Sequence, residues 1–531
     1  MTLPKYRLAP ATVVEPLINR WAVWSDLISP GPYSMHMANY QLPTLASYLQ
    51  NPDVHLKASR NPKLIGGPFV DVPKERRGEV EALLEETRRE QADNVAFAQA
   101  LTQCYEALSR EAKGQSLEPY YPQVPGPLRG YVELLYDYYN HPIVRLMEPL
   151  LYRSPYMKRS LQSLRIFQPA RDDSRPFFLS TPRLPQEGDV SWRIPFADPA
   201  LDQFFALDRE GRPLGEIAEL LGLSADRADV LLPFLTEEPL PAAEPWDGDR
   251  PRIRYLGHAC VLVEWKGVSI MTDPWVGVMP REGGLERITF ADLPERIDYA
   301  LITHGHHDHF VVETLLRLRH RIGTLVVPRS FGLFHADVSL KHAAREIGFH
   351  DVVEVDTLDS IPLPDGEILS VPFFGEHADL AHAKSAYVVR CGTERILFAA
   401  DANCIEPETY AHVQRSLGDV QTVFLGMECV GAPLSWLYGA LLPSRLTNAY
   451  DKSRRTKGSD APAALALLEK VRAQRVYIYA LGGEPWLNYS MGLGLDEDSQ
   501  QLKEAAKVLA AAPSLGLADA ARPFGRMEMS L

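Results

Sequence analysis

The segment His304-Gly305-His306-His307-Asp308-His309 places imidazoles and a carboxylate within six consecutive positions. It follows the apolar run Tyr299-Ala300-Leu301-Ile302-Thr303, which reads as a buried strand. A sharp turn at the end of that strand can aim His304 and His306 at one metal ion. It can aim Asp308 and His309 at a second ion a few ångströms away. Imidazole and carboxylate donors suit zinc, iron or manganese, so the pattern implies metal chemistry before it names the ion. The strand context separates the motif from a histidine-rich surface loop.

The strand that must deliver this motif belongs to a β-rich second half. Short β runs at 253–256, 261–265 and 269–272 are separated by small turns. Strands and helices then alternate: strand 299–303, helix 311–320, strand 324–327, helix 340–347 and strand 352–355. Further strands are expected at 367–374, 386–390, 396–400, 420–425 and 476–480, with helices at 406–417, 461–473 and 499–511. Such a mixture implies sheets covered by helices. The first half is Pro-punctuated and mostly helical in pattern. Residues 74–112 carry a long amphipathic signal through Val80, Leu83, Leu84, Phe97 and Leu101. Residues 131–152 form a tyrosine-dense helical candidate interrupted at Pro142. Residues 214–235 resemble a helix–turn–helix with Gly222 as the stop and Ser224 as the N-cap. Its second helix is acidic and apolar, which suits packing or partner docking rather than DNA reading. The stretch 237–250, with three prolines and several acids, is the expected linker. Two domains follow, 1–245 and 246–531.

A chain of 531 residues exceeds what one core organises. No apolar run approaches the roughly 18–20 residues of a membrane span. The N-terminus lacks an apolar stretch typical of a signal peptide. The five cysteines are scattered without a C-x-x-C pair, which argues against a disulfide framework or a structural zinc site. A cytoplasmic location is the expectation. The net charge of −14 disfavours nucleic acid as a partner, because phosphate binding needs a basic face.

Tyr255-Leu256-Gly257-His258-Ala259, then Thr272-Asp273-Pro274, then His304-x-His306-x-Asp308-His309 resemble the metallo-β-lactamase superfamily over roughly 252–531. The resemblance implies an α+β chain whose C-terminal αββα sandwich holds a dinuclear metal site at one edge. Asp401, in Phe398-Ala399-Ala400-Asp401-Ala402, matches the superfamily's metal-bridging aspartate. A strand-end aspartate alone is usually a cap or turn residue, and the histidine motif turns the reading toward a ligand. The sequence departs from the hydrolases of the superfamily in two places. Where they carry a middle histidine, this chain reads Phe373-Phe374-Gly375-Glu376-His377, and neighbours on extended chain point to opposite faces. Glu376 and His377 are therefore alternatives. Downstream of Asp401 the single histidine is His412, in an expected helix, so the hydrolases' final histidine is missing. Glu428, in Met427-Glu428-Cys429, stands near the vacated position as a carboxylate that ligates, shifts or takes protons. His258 and Asp273 are expected to orient ligands, and His307 to point away from the metals.

If Glu376 ligates, three histidines (His304, His306, His309) and three carboxylates (Asp308, Glu376, Asp401) form the set. That set is richer in hard oxygen donors than a dizinc site, and zinc has no redox chemistry. With the roughly 240-residue helical N-terminal domain, the match narrows. The chain resembles the diiron amino-acid β-hydroxylases of nonribosomal peptide biosynthesis, of the chloramphenicol-pathway type. The resemblance implies an oxo- or carboxylate-bridged pair of iron ions and O2 as co-substrate. It implies an amino acid tethered as a thioester to a nonribosomal peptide synthetase carrier domain, and an electron-donor protein. Carried over, His304, His306 and Glu376 hold one iron, Asp308 and His309 the other, and Asp401 bridges. The N-terminal domain would serve homodimer formation and substrate access. The basic run Arg445 to Lys457 is a candidate docking patch for an acidic carrier, and Gly482 to Tyr489 a loop that could wall the pocket. Two other readings compete: a dizinc hydrolase of the lactonase or phosphodiesterase type, and a metal-binding scaffold without catalysis.

Overall fold

The computed structural model describes residues 3–61, 64–239, 246–375, 382–492 and 494–531. Two seven-stranded mixed sheets form the centre of the second half. The first runs in the order Val352–Val355, Ile322–Pro328, Ile297–Leu301, Val268–Thr272, Cys260–Trp265, Arg252–Gly257, Met527–Ser530. The second runs Ser360–Leu363, Gly366–Val371, Ala386–Cys391, Glu394–Phe398, Thr422–Gly426, Arg475–Tyr479, Asp519–Ala521. In each sheet the hairpin-linked strands pair antiparallel, and the strands separated by helices pair parallel. That division follows connection length, since a parallel pair needs a crossover that a tight turn cannot supply.

Burial separates three apolar layers. Between the sheets lie Tyr255, Val263, Tyr387, Val389, Phe398 and Phe424. The outer face of the second sheet packs Leu397, Val423 and Leu425 under Leu467, Leu468 and Val508, which come from helices Ala461–Val471 and Gln500–Ala511. The outer face of the first sheet, through Leu256, Leu262, Met271 and Ala300, joins a cluster that continues into the first half of the chain at Phe196, Leu201 and Phe204. Fully burying each such side chain contributes about 1.5–3 kcal/mol. The first half therefore occupies the outer layer on that side of the sandwich.

Buried ion pairs fix how the two halves meet. Arg317, on helix Val312–Leu318, forks onto Asp208 at 2.6 and 2.9 Å and donates to the Thr12 carbonyl at 2.8 Å. Arg319 reaches Asp202 at 2.8 Å. Within the first half, Glu15 accepts from Arg175 at 3.0 Å and Arg183 at 3.1 Å and faces Arg165 at 3.5 Å, and Arg175 in turn reaches Glu313 of the second half at 2.6 Å. Burial alone would raise the Glu15 carboxyl, but the three guanidiniums hold it down at about 2.

The first half differs in detail from its sequence pattern. Besides helices it carries a four-stranded sheet (Trp21–Ala22, Val13–Ile18, Gln162–Phe167, Val190–Arg193) and smaller strand pairings. Residues 131–152 are not a helix. They form the hairpin Val132–Tyr136 with Pro142–Leu146, followed by the short helix Glu148–Leu151. Pro142 cannot donate inside a helix, Ile143 and Val144 are β-branched, and Asn140 turns the chain at φ 64°. The long amphipathic segment is two helices, Arg77–Glu90 and Ala92–Glu111, broken at Gln91. The helix–turn–helix candidate has a first helix at Leu214–Leu220 and Gly222 at φ 69°, but its second element is a 3-10 helix, Ala225–Phe234, containing Pro233. Of the expected linker, residues 240–245 lie outside the described residues. Among the described residues no helix is long and apolar enough to cross a membrane.

Candidate metal centre

Four strand ends meet at one edge of the sandwich, and each turns through a non-glycine residue of positive φ: His258 at 48°, Asp273 at 35°, Ala400 at 45° and Ala480 at 52°. Such backbone costs of order 1–3 kcal/mol per residue and persists where the surroundings over-determine it. Here the turns are held by cross-links between strand ends. Asp273 N–H donates to the Leu301 carbonyl at 2.8 Å, Ala480 N–H to the His258 carbonyl at 3.0 Å, and Gly426 N–H to the Ala400 carbonyl at 2.8 Å. The edge is thus built before any ion is considered.

On it the motif spreads as a compact turn, in which His309 and Phe310 N–H groups both donate to the His306 carbonyl. His304, His306, Asp308 and His309 are buried. His304 Nε2 lies 3.1 Å from His306 Nδ1 and 3.9 Å from Asp401 Oδ2. His309 Nε2 lies 3.1 Å from Asp401 Oδ2 and 3.6 Å from Asp308 Oδ2. Among the described residues two donor groups result, His304–His309–Asp401 and His258–Asp308–His309, each with its candidate ligand atoms within 4.8 Å of one another. The sequence reading put His258 behind the ligands. Its Nε2 instead faces Asp308 Oδ2 at 3.2 Å and His309 Nε2 at 3.3 Å. The hairpin turn after Gly257 explains the difference, because it swings the ring over the edge.

Hydrogen bonds behind the candidate donors fix their ring orientations. Asp273 accepts from Thr303 N–H at 2.7 Å and Thr303 Oγ1–H at 2.7 Å and pairs with His309 Nδ1 at 2.8 Å. Tyr438 Oη meets His306 Nε2 at 2.6 Å, leaving Nδ1 toward His304. Thr303 Oγ1 also touches His304 Nδ1 at 3.0 Å. Burial, reinforced by neighbouring histidines, pushes His304 well below the usual imidazole range. Burial also outweighs Asp308 in lowering His306. Burial would lower His309 too, but Asp401, Asp308 and Asp273 hold it well above its ordinary value. Asp308 is the converse: burial would raise it, yet His309 and its neighbours hold it well below.

The set fits a metal pair. Among the described residues, Asp401 Oδ1 and His258 Nδ1 are buried without a hydrogen-bond partner, a costly state for a carboxylate oxygen unless it is coordinated. Imidazole nitrogens facing one another and facing carboxylates across 3.1–3.9 Å suit iron donors. Glu376 and His377, the alternative middle ligands, lie outside the described residues. His307 turns from the donor groups, stacking on Phe178 at 5.4 Å with its Nε2 3.3 Å from the Ser490 carbonyl. His412 sits exposed on helix Pro407–Leu417 beside Arg415, far from ligand spacing.

A cavity of ≈ 430 Å³ opens over this edge. His258, His306, His307, Asp308 and Asp401 line one side, and Ile65, Phe177 and Leu179 of the first half line another with Trp436 and Leu437. Gly492, at φ 63°, permits this closure, since a Cβ there would meet Ile65 Cγ2 at 2.3 Å. Glu428 lines the same cavity outside both donor groups. Burial raises its carboxyl, opposed by hydrogen bonds from Gly431 N–H and Gln501. Within the basic run, Arg455 lines the cavity, while Arg445, Lys452 and Lys457 are exposed. The loop 482–489 leads into Ser490 and Met491 of the cavity wall. Sequence reasoning missed Tyr438, which is far from the motif in sequence, and Thr303. It treated His382 as ordinary, yet that ring packs 5.0 Å from Tyr438 and burial pushes it down to about 3.

A family model described as the diiron non-heme beta-hydroxylase N-terminal domain matches residues 7–239, and a beta-lactamase superfamily domain matches 252–390. A 4-amino-L-phenylalanyl-[CmlP-peptidyl-carrier-protein] 3-hydroxylase of Streptomyces venezuelae is 38% identical over 507 residues, covering 93% of this chain and 94% of the relative. The chain belongs to the diiron β-hydroxylase family. The crystal structure of CmlA, a diiron β-hydroxylase from Streptomyces venezuelae, has a TM-score of 0.92 and 35% identity, with 100% of both chains covered. A UPF0173 metal-dependent hydrolase of Methanopyrus kandleri is 30% identical over 123 residues, 23% of this chain and 46% of that protein. Likeness to that hydrolase thus extends over less than a quarter of this chain. The β-hydroxylase family spans both halves, and the dizinc hydrolase and non-catalytic scaffold readings are set aside.

Proposed function

We propose that this diiron β-hydroxylase acts on the β-carbon of an amino acid held as a thioester on a nonribosomal peptide synthetase carrier domain. The net change is R–H + O2 + 2 electrons + 2 protons giving R–OH + H2O, with electrons from an external donor protein. The observation that carries the reading is the cavity itself. Buried imidazoles and carboxylates floor it, and apolar side chains of the family's N-terminal domain wall it. Bound iron supplies O2 activation, which zinc cannot.

In this reading His304, His306 and Glu376 would hold one iron and Asp308 and His309 the other, with Asp401 as the carboxylate shared between them. His258, aimed at the second group, is an additional donor on that side. Asp273 keeps the His309 proton on Nδ1 so that Nε2 faces the ligand group, and Tyr438 does the same for His306 through Nε2. Ile65, Phe177, Leu179 and Trp436 exclude water from the reacting carbon. The domains 1–245 and 246–531 divide the work, the first contributing substrate access and homodimer contacts. The enzyme works in the cytoplasm.

The test is metal content together with turnover. Protein from iron- and zinc-replete medium should hold about two irons per chain. With reductant and O2 it should add one oxygen atom, labelled by 18O2, to an aminoacyl-carrier. Two zincs, colourless protein and esterase or phosphodiesterase turnover would overturn the proposal.

A further inference from the structure

We infer that Glu428 is the subsite for the α-ammonium group of the tethered amino acid, an assignment that rests on the function proposed above. Its carboxylate lines the same cavity as Asp308, Asp401 and His306. It is held rigidly: Oε1 accepts from Gly431 N–H at 2.9 Å and from Gln501 Nε2 at 3.0 Å, and Oε2 from the same nitrogen at 3.1 Å. No lysine or arginine among the described residues pairs with it. The basic side chain on the same wall, Arg455, directs Nε and Nη2 to the carbonyls of Val430 and Gly431 instead. A rigid carboxylate without a cation, facing a cavity, recognises a cation delivered by the ligand.

The position suits that ligand. The backbones of Asp401 and Glu428 flank Gly458: a Cβ there would lie 3.2 Å from the Asp401 carbonyl oxygen and 3.7 Å from Glu428 N. An ammonium at Glu428 stands in the cavity that Asp308 and Asp401 also line, and the β-carbon is one bond from the carbon bearing it. Ile65, Phe177, Leu179 and Trp436, which also line the cavity, are uncharged. The ligand class that satisfies both is an aminoacyl thioester with a free α-amine and a neutral apolar side chain. Glu428 is not needed as a metal ligand in this arrangement, since it stands outside both donor groups and already accepts three hydrogen bonds.

The experiment compares carrier domains differing only in the amine. L-phenylalanyl- and 3-phenylpropanoyl-carrier form one pair, and L-leucyl- and 4-methylpentanoyl-carrier the other. Dissociation constants are measured on wild type and on Glu428→Gln, with iron content determined in parallel. The wild type should favour the aminoacyl member by on the order of 30-fold, the scale of a buried charged partner. In Glu428→Gln the ratio should fall toward one, by weaker aminoacyl binding, with wild-type iron content. A ratio that persists in Glu428→Gln overturns the subsite, and loss of about one iron reassigns the residue as a ligand. If the variant does not fold, equal wild-type affinity within each pair still overturns it, and the predicted preference still supports it. A wild type that neither binds nor hydroxylates any aminoacyl-carrier overturns the function as well as the subsite. One that does both leaves the function standing whatever the fate of Glu428.

Discussion

Replacing Asp273 with asparagine should cripple metal retention without touching a proposed ligand. Its side chain is fully buried and serves three groups: Thr303 N–H, the Thr303 hydroxyl and His309 Nδ1, all within 2.7–2.8 Å. Asparagine keeps one oxygen, which can still accept from Thr303 N–H. The other position becomes an NH2 donor pointing at His309 Nδ1–H and the Thr303 hydroxyl. The hydroxyl can rotate and accept. The imidazole can adapt only by moving its proton to Nε2, the atom that faces Asp401 at 3.1 Å and Asp308 at 3.6 Å. Protonated there, it cannot ligate.

Loss of such an orienting partner typically lowers metal affinity 10–100-fold, which corresponds to about 1.4–2.8 kcal/mol. The measurement titrates metal-free wild type and Asp273→Asn with Fe(II) against a chromogenic chelator, and records iron retained after dialysis. Thermal unfolding of the metal-free proteins separates the ligand effect from a general loss of fold, for which mismatched buried donors cost about 1–3 kcal/mol. Wild-type iron affinity in a folded Asp273→Asn protein would refute the tautomer argument. Equal losses of iron from Asp273→Asn and from a distant variant of matched stability would refute it too.

Tyr438→Phe removes the hydroxyl 2.6 Å from His306 Nε2, and iron should dissociate roughly tenfold faster while Tm moves little; an unchanged off-rate with chelator would speak against the contact. Glu376→Ala should strip or weaken one iron and abolish hydroxylation, whereas His377→Ala should do neither; full activity in Glu376→Ala would hand the ligand position to His377. Glu148 predicts a pH effect on stability. Burial raises its carboxyl to about 7, despite hydrogen bonds from Ser339 N–H and the Ser29 hydroxyl. The folded value lies above the unfolded one, so its contribution is fully present below about pH 4.5 and is lost as pH rises through about 7. Glu148→Gln should therefore match wild type near pH 4.5 and exceed it by at most about 3 kcal/mol at pH 8 in denaturant unfolding; parallel pH profiles would contradict this.

The second half was legible because its elements announce themselves locally. Short apolar β runs between turns mark Arg252–Gly257 and Cys260–Trp265, and the motif sits where the strand Ile297–Leu301 has just ended. Asp401, a candidate donor far from the motif in sequence, was reached through its match to the superfamily's bridging aspartate, since a strand-end aspartate alone reads as a cap or turn residue. Two kinds of feature were not legible. Turns at these strand ends are signalled by Gly257 and by Asp273-Pro274, but the positive φ of His258 and Asp273 themselves is not, because neither is glycine. Partners that act through tertiary contact, such as Tyr438 on His306, carry no spacing signal at all. In the first half, helical periodicity misled at 131–152, where proline and β-branched residues outweighed the apolar pattern.

The first half belongs to the active site rather than beside it, and Arg175 shows why. Its guanidinium binds Glu15 at 3.0 Å and Glu313 at 2.6 Å and lies 3.6 Å over the Tyr489 ring. Glu313 opens the helix that follows the histidine motif, Tyr489 precedes Ser490 and Met491 of the cavity wall, and Arg175 itself precedes Phe177 and Leu179. One buried charge therefore sets the mutual positions of ligand turn, cavity loop and N-terminal wall. Burying that guanidinium is costly, and it is retained at a junction where a neutral side chain would pack with less desolvation. What the ion pairs gain is geometric. The fork and the ring fix orientation as well as distance, which a cavity built from two separately folded patterns requires if its apolar side chains are to stay in register with its candidate metal donors.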